Sequence, residues 1–349
     1  MKILFIIPGD INLPTGGYRY DRAIIHELQA LGHEVNLVSL TGNYPFPSEV
    51  EKQAAIELIE ALPTANDIAV IDGLAGGAHP ELIRKLSKTL PVVALVHHPL
   101  CLENGLDEET ARKLETSEAQ GLEHVSSVIT TSPETAKTVK GLFNVDAGKI
   151  HCVLPGVERG VLANPSSDEN IHLLCVGSVI ERKGHVFLVQ ALAGLLHLNW
   201  HLDCVGKTDF QPDYYANVKA RVEQNNLASR ITFHGTVDAI QLENHYKNAH
   251  MFVLPSLFEG YGMVYAEAIV RGLPVIGTTA GAIPDTVPQS CGMLVEPGNT
   301  DELATALDTM ISNKEIRESY REACIASTNS FPTWEKSAAA FASVLGEVA

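Results

Sequence analysis

The chain has 349 residues, with 42 acidic against 25 basic side chains, a net charge of −17, 45% apolar residues and 6% aromatics. At about 100–200 residues per domain this length makes two domains, each able to bury its own core, and the apolar share excludes wholesale disorder. The negative balance excludes a nucleic-acid binder or a polybasic membrane anchor, since both need clustered Lys and Arg. It forms no acidic tail: residues 1–163 hold 13 basic and 21 acidic side chains, and the remainder 12 and 21.

Short β-branched runs alternate with longer helical segments, the pattern of parallel sheets covered by helices on both faces. KILFII (2–7) reads as a buried strand, 18–31 as an amphipathic helix ending at Gly32, and EVNLVSL (34–40) as the next strand. A helix over 49–61 leads to a strand at 67–72, a helix over 79–89 and a strand at 91–98. An acidic helix over 107–124, a strand at 127–130, a helix over 133–142 and a strand at 149–155 complete the first half. Units of this length and order predict a doubly wound α/β domain.

Residues 156–170 break the alternation. This polar segment carries Asn164-Pro165-Ser166-Ser167-Asp168 and reads as a linker. Strands then follow at 171–177, 200–206, 230–235, 250–255, 274–278 and 292–297, with helices over 184–197, 212–226, 238–248 and 262–271. Three helical stretches, at 300–312, 314–328 and 332–346, close the chain. The expectation is two Rossmann-like domains, 1–163 and 164–330, with ligand sites in the loops after the strands.

The six cysteines form no CxxC pair and mostly sit in apolar runs, as in HLLCVG and HLDCVG, so they read as reduced core thiols. Pro8-Gly9-Asp10 cuts the first apolar run too short for a signal peptide, and no stretch approaches the roughly 20 apolar residues of a membrane span. The expectation is a cytoplasmic protein without membrane association.

Two segments carry the chemistry. In LPSLFEGYGMVYAEAIVRGLPVIGT (254–278), Glu259 lies in a loop after a strand, and a helix begins near Gly262 with Glu267 on its second turn. The free N–H groups and positive dipole end of that helix suit a phosphate, and two carboxylates beside it suit a ligand with hydroxyls and phosphates. The plainer alternative makes Glu259 a helix cap and Glu267 a solvated helix residue. In LLCVGSVIERKGH (173–185), a strand ends at Gly177 and a loop presents Arg182, Lys183 and Gly184 ahead of the next helix. Arg binds a phosphate bidentately and Lys adds a movable point charge, whereas the plainer alternative is a solvated turn partly neutralised by Glu181.

In this order the segments resemble a GT-B glycosyltransferase of the retaining family 4, or group 1, type, over essentially the whole chain and most specifically over 173–185 and 250–297. The family's Glu-x7-Glu motif corresponds to Glu259…Glu267, and its phosphate loop to Gly177-Ser178…Arg182-Lys183-Gly184. Many members have Arg directly after the first Gly; Ser178 stands there, leaving Arg182 to supply the guanidinium. The family's Gly-Gly loop after the first strand corresponds to Gly16-Gly17, and its Val-His pattern to His97, with His98 beside it.

The resemblance implies an α/β GT-B fold of two domains facing a central cleft, the first for the acceptor and the second for the donor, with the final helix (331–349) packed back on the first. It implies that Arg182 and Lys183 hold the diphosphate of a nucleotide-sugar, with Gly177 and Ser178 in the same loop. Glu267 would bind the ribose hydroxyls, and Glu259 the donor sugar, aided by the N–H groups of Gly262, Met263 and Val264. Val237 would meet the base, Gly16 and Gly17 the phosphates and acceptor, and His97 the reacting centre. Attack would come from the front face through an oxocarbenium-like state, with retention of configuration. No cofactor is implied beyond the co-substrate, a UDP-sugar before a GDP-sugar. No metal is expected either, because no two aspartates stand two apart in an Asp-x-Asp pair. The acidic balance of the first half predicts a soluble acceptor, a small molecule or a glycan. The rivals are a sugar-nucleotide epimerase or hydrolase on the same scaffold, and a non-catalytic sugar-binding protein. A nicotinamide oxidoreductase is disfavoured by the lack of G-x-G-x-x-G in either first βα turn.

Overall fold

The computed structural model describes residues 1–62, 66–103, 105–166 and 170–349. Residues 167–169 of the expected linker, including Ser167 and Asp168, and residue 104 of the acidic segment after His98 lie outside the described residues. The chain divides into two compact units, Met1–Gly156 with Pro332–Ala349, and Val157–Phe331.

The first unit runs β1 (Lys2–Pro8), α1 (Gly16–Ala30), β2 (Glu34–Leu40), α2 (Glu49–Glu60), β3 (Ile68–Asp72), α3 (Gly73–Ala78), α4 (Pro80–Leu86), β4 (Val92–Val96), α5 (Glu108–Leu122), β5 (Ser127–Thr130), α6 (Pro133–Phe143) and β6 (Ile150–Cys152). The strands form one parallel sheet in the order β2-β1-β3-β4-β5-β6. β3, β4 and β5 are buried throughout, as strands covered on both faces are, and β4 and all of β3 but its final Asp72 read as apolar runs. The edge strand β2 is largely exposed.

The second unit runs β7 (Ile171–Val176), α7 (His185–Ala193), β8 (Trp200–Val205), α8 (Pro212–Gln224), β9 (Ile231–Gly235), α9 (Ala239–Asn248) and β10 (Met251–Val253). It continues with α10 (Met263–Val270), β11 (Val275–Thr278), α11 (Ile283–Thr286), β12 (Gly292–Val295), α12 (Thr300–Ser312) and α13 (Lys314–Ser327). Its sheet is also parallel, in the order β12-β11-β10-β7-β8-β9. The order reverses about β7, so the loops after β7 and β10 leave the sheet from adjacent strands at the same edge. That is the switch point where such sheets take ligands.

The last helix, α14 (Trp334–Val348), belongs to the first unit. The Trp334 ring meets Tyr20 of α1 edge-on at 5.8 Å, and the Ser337 hydroxyl donates to the Leu154 carbonyl at 2.7 Å.

Two local departures from the sequence pattern stand out. Gly16 and Gly17 lie inside the first turn of α1, capped by the Thr15 hydroxyl, rather than in a loop. GLAGGA (73–78), too glycine-rich and too short for a helical period, forms α3 because the Asp72 carboxylate caps it by accepting from Leu74 N–H at 2.8 Å. No helix among the described residues is long and apolar enough to cross a membrane. All six cysteines are free; Cys152 is exposed and the other five are buried.

Candidate active site

The strand β7 ends at Val176, and its loop closes in a short 3₁₀ turn, Glu181–Lys183, just before α7. Gly184 completes the turn at φ +70°, and a Cβ there would lie 2.1 Å from the Pro255 carbonyl oxygen. Only glycine lets this turn press against the loop that follows β10. The Leu257 N–H donates to the Arg182 carbonyl at 2.7 Å and ties the two loops together.

Three side chains converge as a result. Lys183 Nζ donates to Glu259 Oε1 at 2.6 Å, and Arg182 Nη1 to Glu259 Oε2 at 3.1 Å and to the Phe258 carbonyl at 2.8 Å. The Ser256 hydroxyl also donates to Glu259 Oε1, at 2.6 Å, and Ser256 is completely buried. Glu259 is 6% exposed. Burial pushes its carboxyl pKa up, but the charges of Lys183 and Arg182 outweigh burial and hold it at about 2. For Lys183 burial is the stronger influence, and its ammonium pKa falls despite Glu259. Two cations on one ionised carboxylate leave a net positive charge at a largely buried point. Such a place attracts an anion.

The helix α10 begins beside this cluster, with Gly262 as its N-cap in a left-handed conformation and no side chain capping it. Glu259 therefore does not cap the helix, contrary to the plainer alternative. Nor is Glu267 a solvated residue at the loop mouth: it is 4% exposed, and its Oε2 accepts from the Tyr246 hydroxyl at 2.9 Å. Val237 is partly buried in the turn between β9 and the Asp238 cap of α9. Gly177 and Ser178 continue directly from β7, and the Gly177 N–H bonds the Val205 carbonyl at 2.8 Å.

The first unit holds a second cluster with the opposite composition. His97, just beyond β4, places Nε2 3.0 Å from Asp21 Oδ1 and 3.4 Å from Asp72 Oδ2. Asp21 is completely buried on α1, and Asp72 is the cap of α3. Burial favours the neutral imidazole, but the two carboxylates outweigh it and raise the His97 pKa well above the usual range. Gly17 lies against this ring, where a Cβ would stand 3.2 Å from His97 Cδ2. Asp21, Asp72 and Ser256 were not among the residues expected from sequence. Asp21 had a signal, an acidic residue on the apolar stripe of Tyr18, Ile24, Ile25 and Leu28, and Asp72 had another, a carboxylate ending a wholly apolar strand. Ser256 had none.

The chain has relatives among known proteins. Residues 170–313 match the family model described as glycosyl transferases group 1. A D-inositol 3-phosphate glycosyltransferase of Paenarthrobacter aurescens is 26% identical over 287 residues, 77% of this chain and 69% of that one. The chain spans 58% and 64% of the length of two further curated relatives. Among solved structures, sucrose-phosphate synthase from Thermosynechococcus elongatus superposes with a TM-score of 0.82 at 21% identity, covering 99% of this chain and 98% of that one. Anabaena Alr3699/HepE in complex with UDP and glucose superposes with a TM-score of 0.79 at 16% identity, covering 99% and 100%. The fold is that of the GT-B glycosyltransferases. The segment matched by the group 1 family model, residues 170–313, contains the Arg182–Lys183–Glu259 cluster.

Proposed function

We propose that the chain is a retaining, metal-independent hexosyltransferase that moves a sugar from a nucleoside-diphosphate sugar to a hydroxyl acceptor. The observation that carries this reading is the pair of cations converging on Glu259 beside the uncapped start of α10. Arg182 and Lys183 hold the diphosphate and stabilise the charge that develops on it as the glycosidic bond breaks, and the α10 N–H groups at Met263 and Val264 add to that field. These fixed charges take the place of a divalent ion.

Glu259, held ionised at about pKa 2 by its partners, is too weak a base to take the acceptor proton and too firmly engaged to act as a nucleophile. Its part is to orient the donor sugar, and the leaving phosphate receives the acceptor proton. The donor oxygen departs on one face while the acceptor enters on the same face, so anomeric configuration is retained. Glu267 binds the ribose hydroxyls, Val237 the base, and Gly177 and Ser178 line the phosphate loop. His97, with Gly16 and Gly17, is the first unit's contribution to catalysis, an assignment that rests on the family resemblance.

UDP is the favoured nucleotide, because a superposable Anabaena protein forms a complex with UDP and glucose. A soluble acceptor is favoured by the acidic balance of residues 1–163 and by relatives named for D-inositol 3-phosphate. Free, mostly buried cysteines favour the cytoplasm as its compartment.

A thermal-shift panel of UDP- and GDP-sugars tests the reading. A donor at 100 times its dissociation constant stabilises the fold by about 2.7 kcal/mol. The expected result is a clear shift with one donor, lost in Lys183→Ala and reduced in Glu267→Gln, and transfer with unchanged anomeric configuration in the presence of a chelator. Absence of a shift with every nucleotide-sugar would overturn it. Release of nucleoside diphosphate at full rate without an acceptor would favour a hydrolase.

A further inference from the structure

The second unit carries a histidine-rich patch on β8, β9 and α9 that shares no residue with the Arg182–Lys183–Glu259 cluster. The parallel register of β8 and β9 slips by one residue there. Asp203 pairs with Thr232 and Cys204 with Phe233, but Val205 pairs with Gly235, leaving His234 as the extra residue of a β-bulge. Bulges re-aim a side chain out of the regular alternation. Here the bulge turns His234 onto Asp203, with Nε2 2.6 Å from Oδ1. From the covering helix α9, the His245 ring reaches 4.4 Å from the His234 ring, centroid to centroid.

One donor atom from each of Asp203, His234 and His245 lies within 4.8 Å of the other two. His201 supports the group from β8, with Nε2 3.6 Å from Asp203 Oδ1 and 3.1 Å from the Thr232 hydroxyl. Asp203 and His245 are partly buried and His234 is exposed, so a cation has a way in. A plain histidine–aspartate hydrogen bond needs no second imidazole, and two imidazoles this close repel once both are charged.

We propose that Asp203, His234 and His245 form a binding site for a divalent transition-metal cation of the zinc class. Two imidazole nitrogens and one carboxylate are the donor set such ions prefer over calcium or magnesium, and water completes the coordination. His201 acts behind the ligands by orienting Asp203. The bound cation staples β8, β9 and α9 together across the turn that carries Val237. The site is structural, and none of its ligands belongs to the sugar-transfer machinery.

The test uses the full chain, freed of metal with a chelator and titrated with Zn²⁺ by calorimetry and with Co²⁺ by visible absorption. The expected result is one cation per chain and a cobalt spectrum without thiolate charge-transfer bands. His234→Gln and His245→Gln should each weaken binding by more than about 100-fold, and His201→Gln by about 10–100-fold. The exposed His26→Gln should leave it unchanged, and Zn²⁺ should raise Tm in the unsubstituted chain but not in His234→Gln. Thiolate bands would instead place the ion at the buried Cys175, His185 and Cys204 group and overturn the proposal. Wild-type affinity in both His234→Gln and His245→Gln would overturn it equally.

Discussion

Two buried polar clusters, one in each unit, are built with opposite charge arithmetic. In the second unit two cations, Arg182 and Lys183, face one buried carboxylate, Glu259, and the balance is positive. In the first unit two buried carboxylates, Asp21 and Asp72, face one imidazole, His97, and the balance is negative once the ring is protonated. The first arrangement leaves positive charge to be neutralised by an incoming anion, whereas the second stabilises a charged ring in place. The lesson is that burial alone does not assign a role to a charged residue. The sign of the charge left over does.

The sharpest way to break this contrast is to remove a cation. Lys183→Ala should lower the rate of sugar transfer by about 10²–10³, the usual cost of losing one donor to a developing negative charge, with the far-UV spectrum unchanged. Steady-state kinetics with the best donor of the panel measures it. Turnover near that of the unsubstituted chain would dissociate the cluster from catalysis.

Removing the carboxylate tests the same balance from the other side. Glu259→Ala leaves two cations without their buried partner and should destabilise the second unit by about 3–5 kcal/mol in urea unfolding. Glu259→Gln keeps the Ser256 hydrogen bond and should fall between it and the unsubstituted chain.

The pH response should differ between the clusters. Because the folded-state pKa of Glu259 is depressed to about 2, its stabilisation is complete above its ordinary value of 4.5 and is lost as pH falls toward 2. The acid limb of the unfolding curve should therefore be shallower in Glu259→Gln. For His97 the folded-state pKa is raised, so its contribution is complete below its ordinary value of 6.5 and is lost only as pH rises through the elevated one. An NMR titration should find the imidazole still protonated well above 6.5. In Asp21→Asn the midpoint should move back toward it.

The smallest effect belongs to a surface pair. Arg84 and Glu81 lie three residues apart on α4, both exposed, and Arg84→Ala should leave thermal unfolding unchanged within error. A large loss there would show that surface ion pairs carry stability that the two buried clusters are assumed to dominate.

Much of this was legible along the chain. Buried parallel strands such as β4 are apolar throughout, so their runs announce themselves, and Arg182-Lys183 and Glu259 stand out as polar groups in the loops that follow strands. What stayed hidden depended on partners distant in sequence. Ser256 becomes part of the site only because Glu259 folds back onto it, and Asp21 only because β4 delivers His97 to α1. The sequence leaves Glu267 between a ligand residue and a solvated one, and only the fold buries it beneath the Tyr246 hydroxyl. The helix α3 forms from a glycine-rich run with poor helical propensity, which no local rule would assign.

By itself the sequence determined the two parallel α/β sheets, through strand-length apolar runs alternating with amphipathic helices, and the loops that carry cations and carboxylates. Only the tertiary structure decided which of those charges are buried and paired. It set two cations against one carboxylate in one unit and two carboxylates against one imidazole in the other. It also aimed His234 through a bulge toward Asp203 and His245. The physical reason is range: hydrophobic periodicity is a property of neighbours along the chain, whereas desolvation and ion pairing depend on which distant segments the fold brings within a few ångströms.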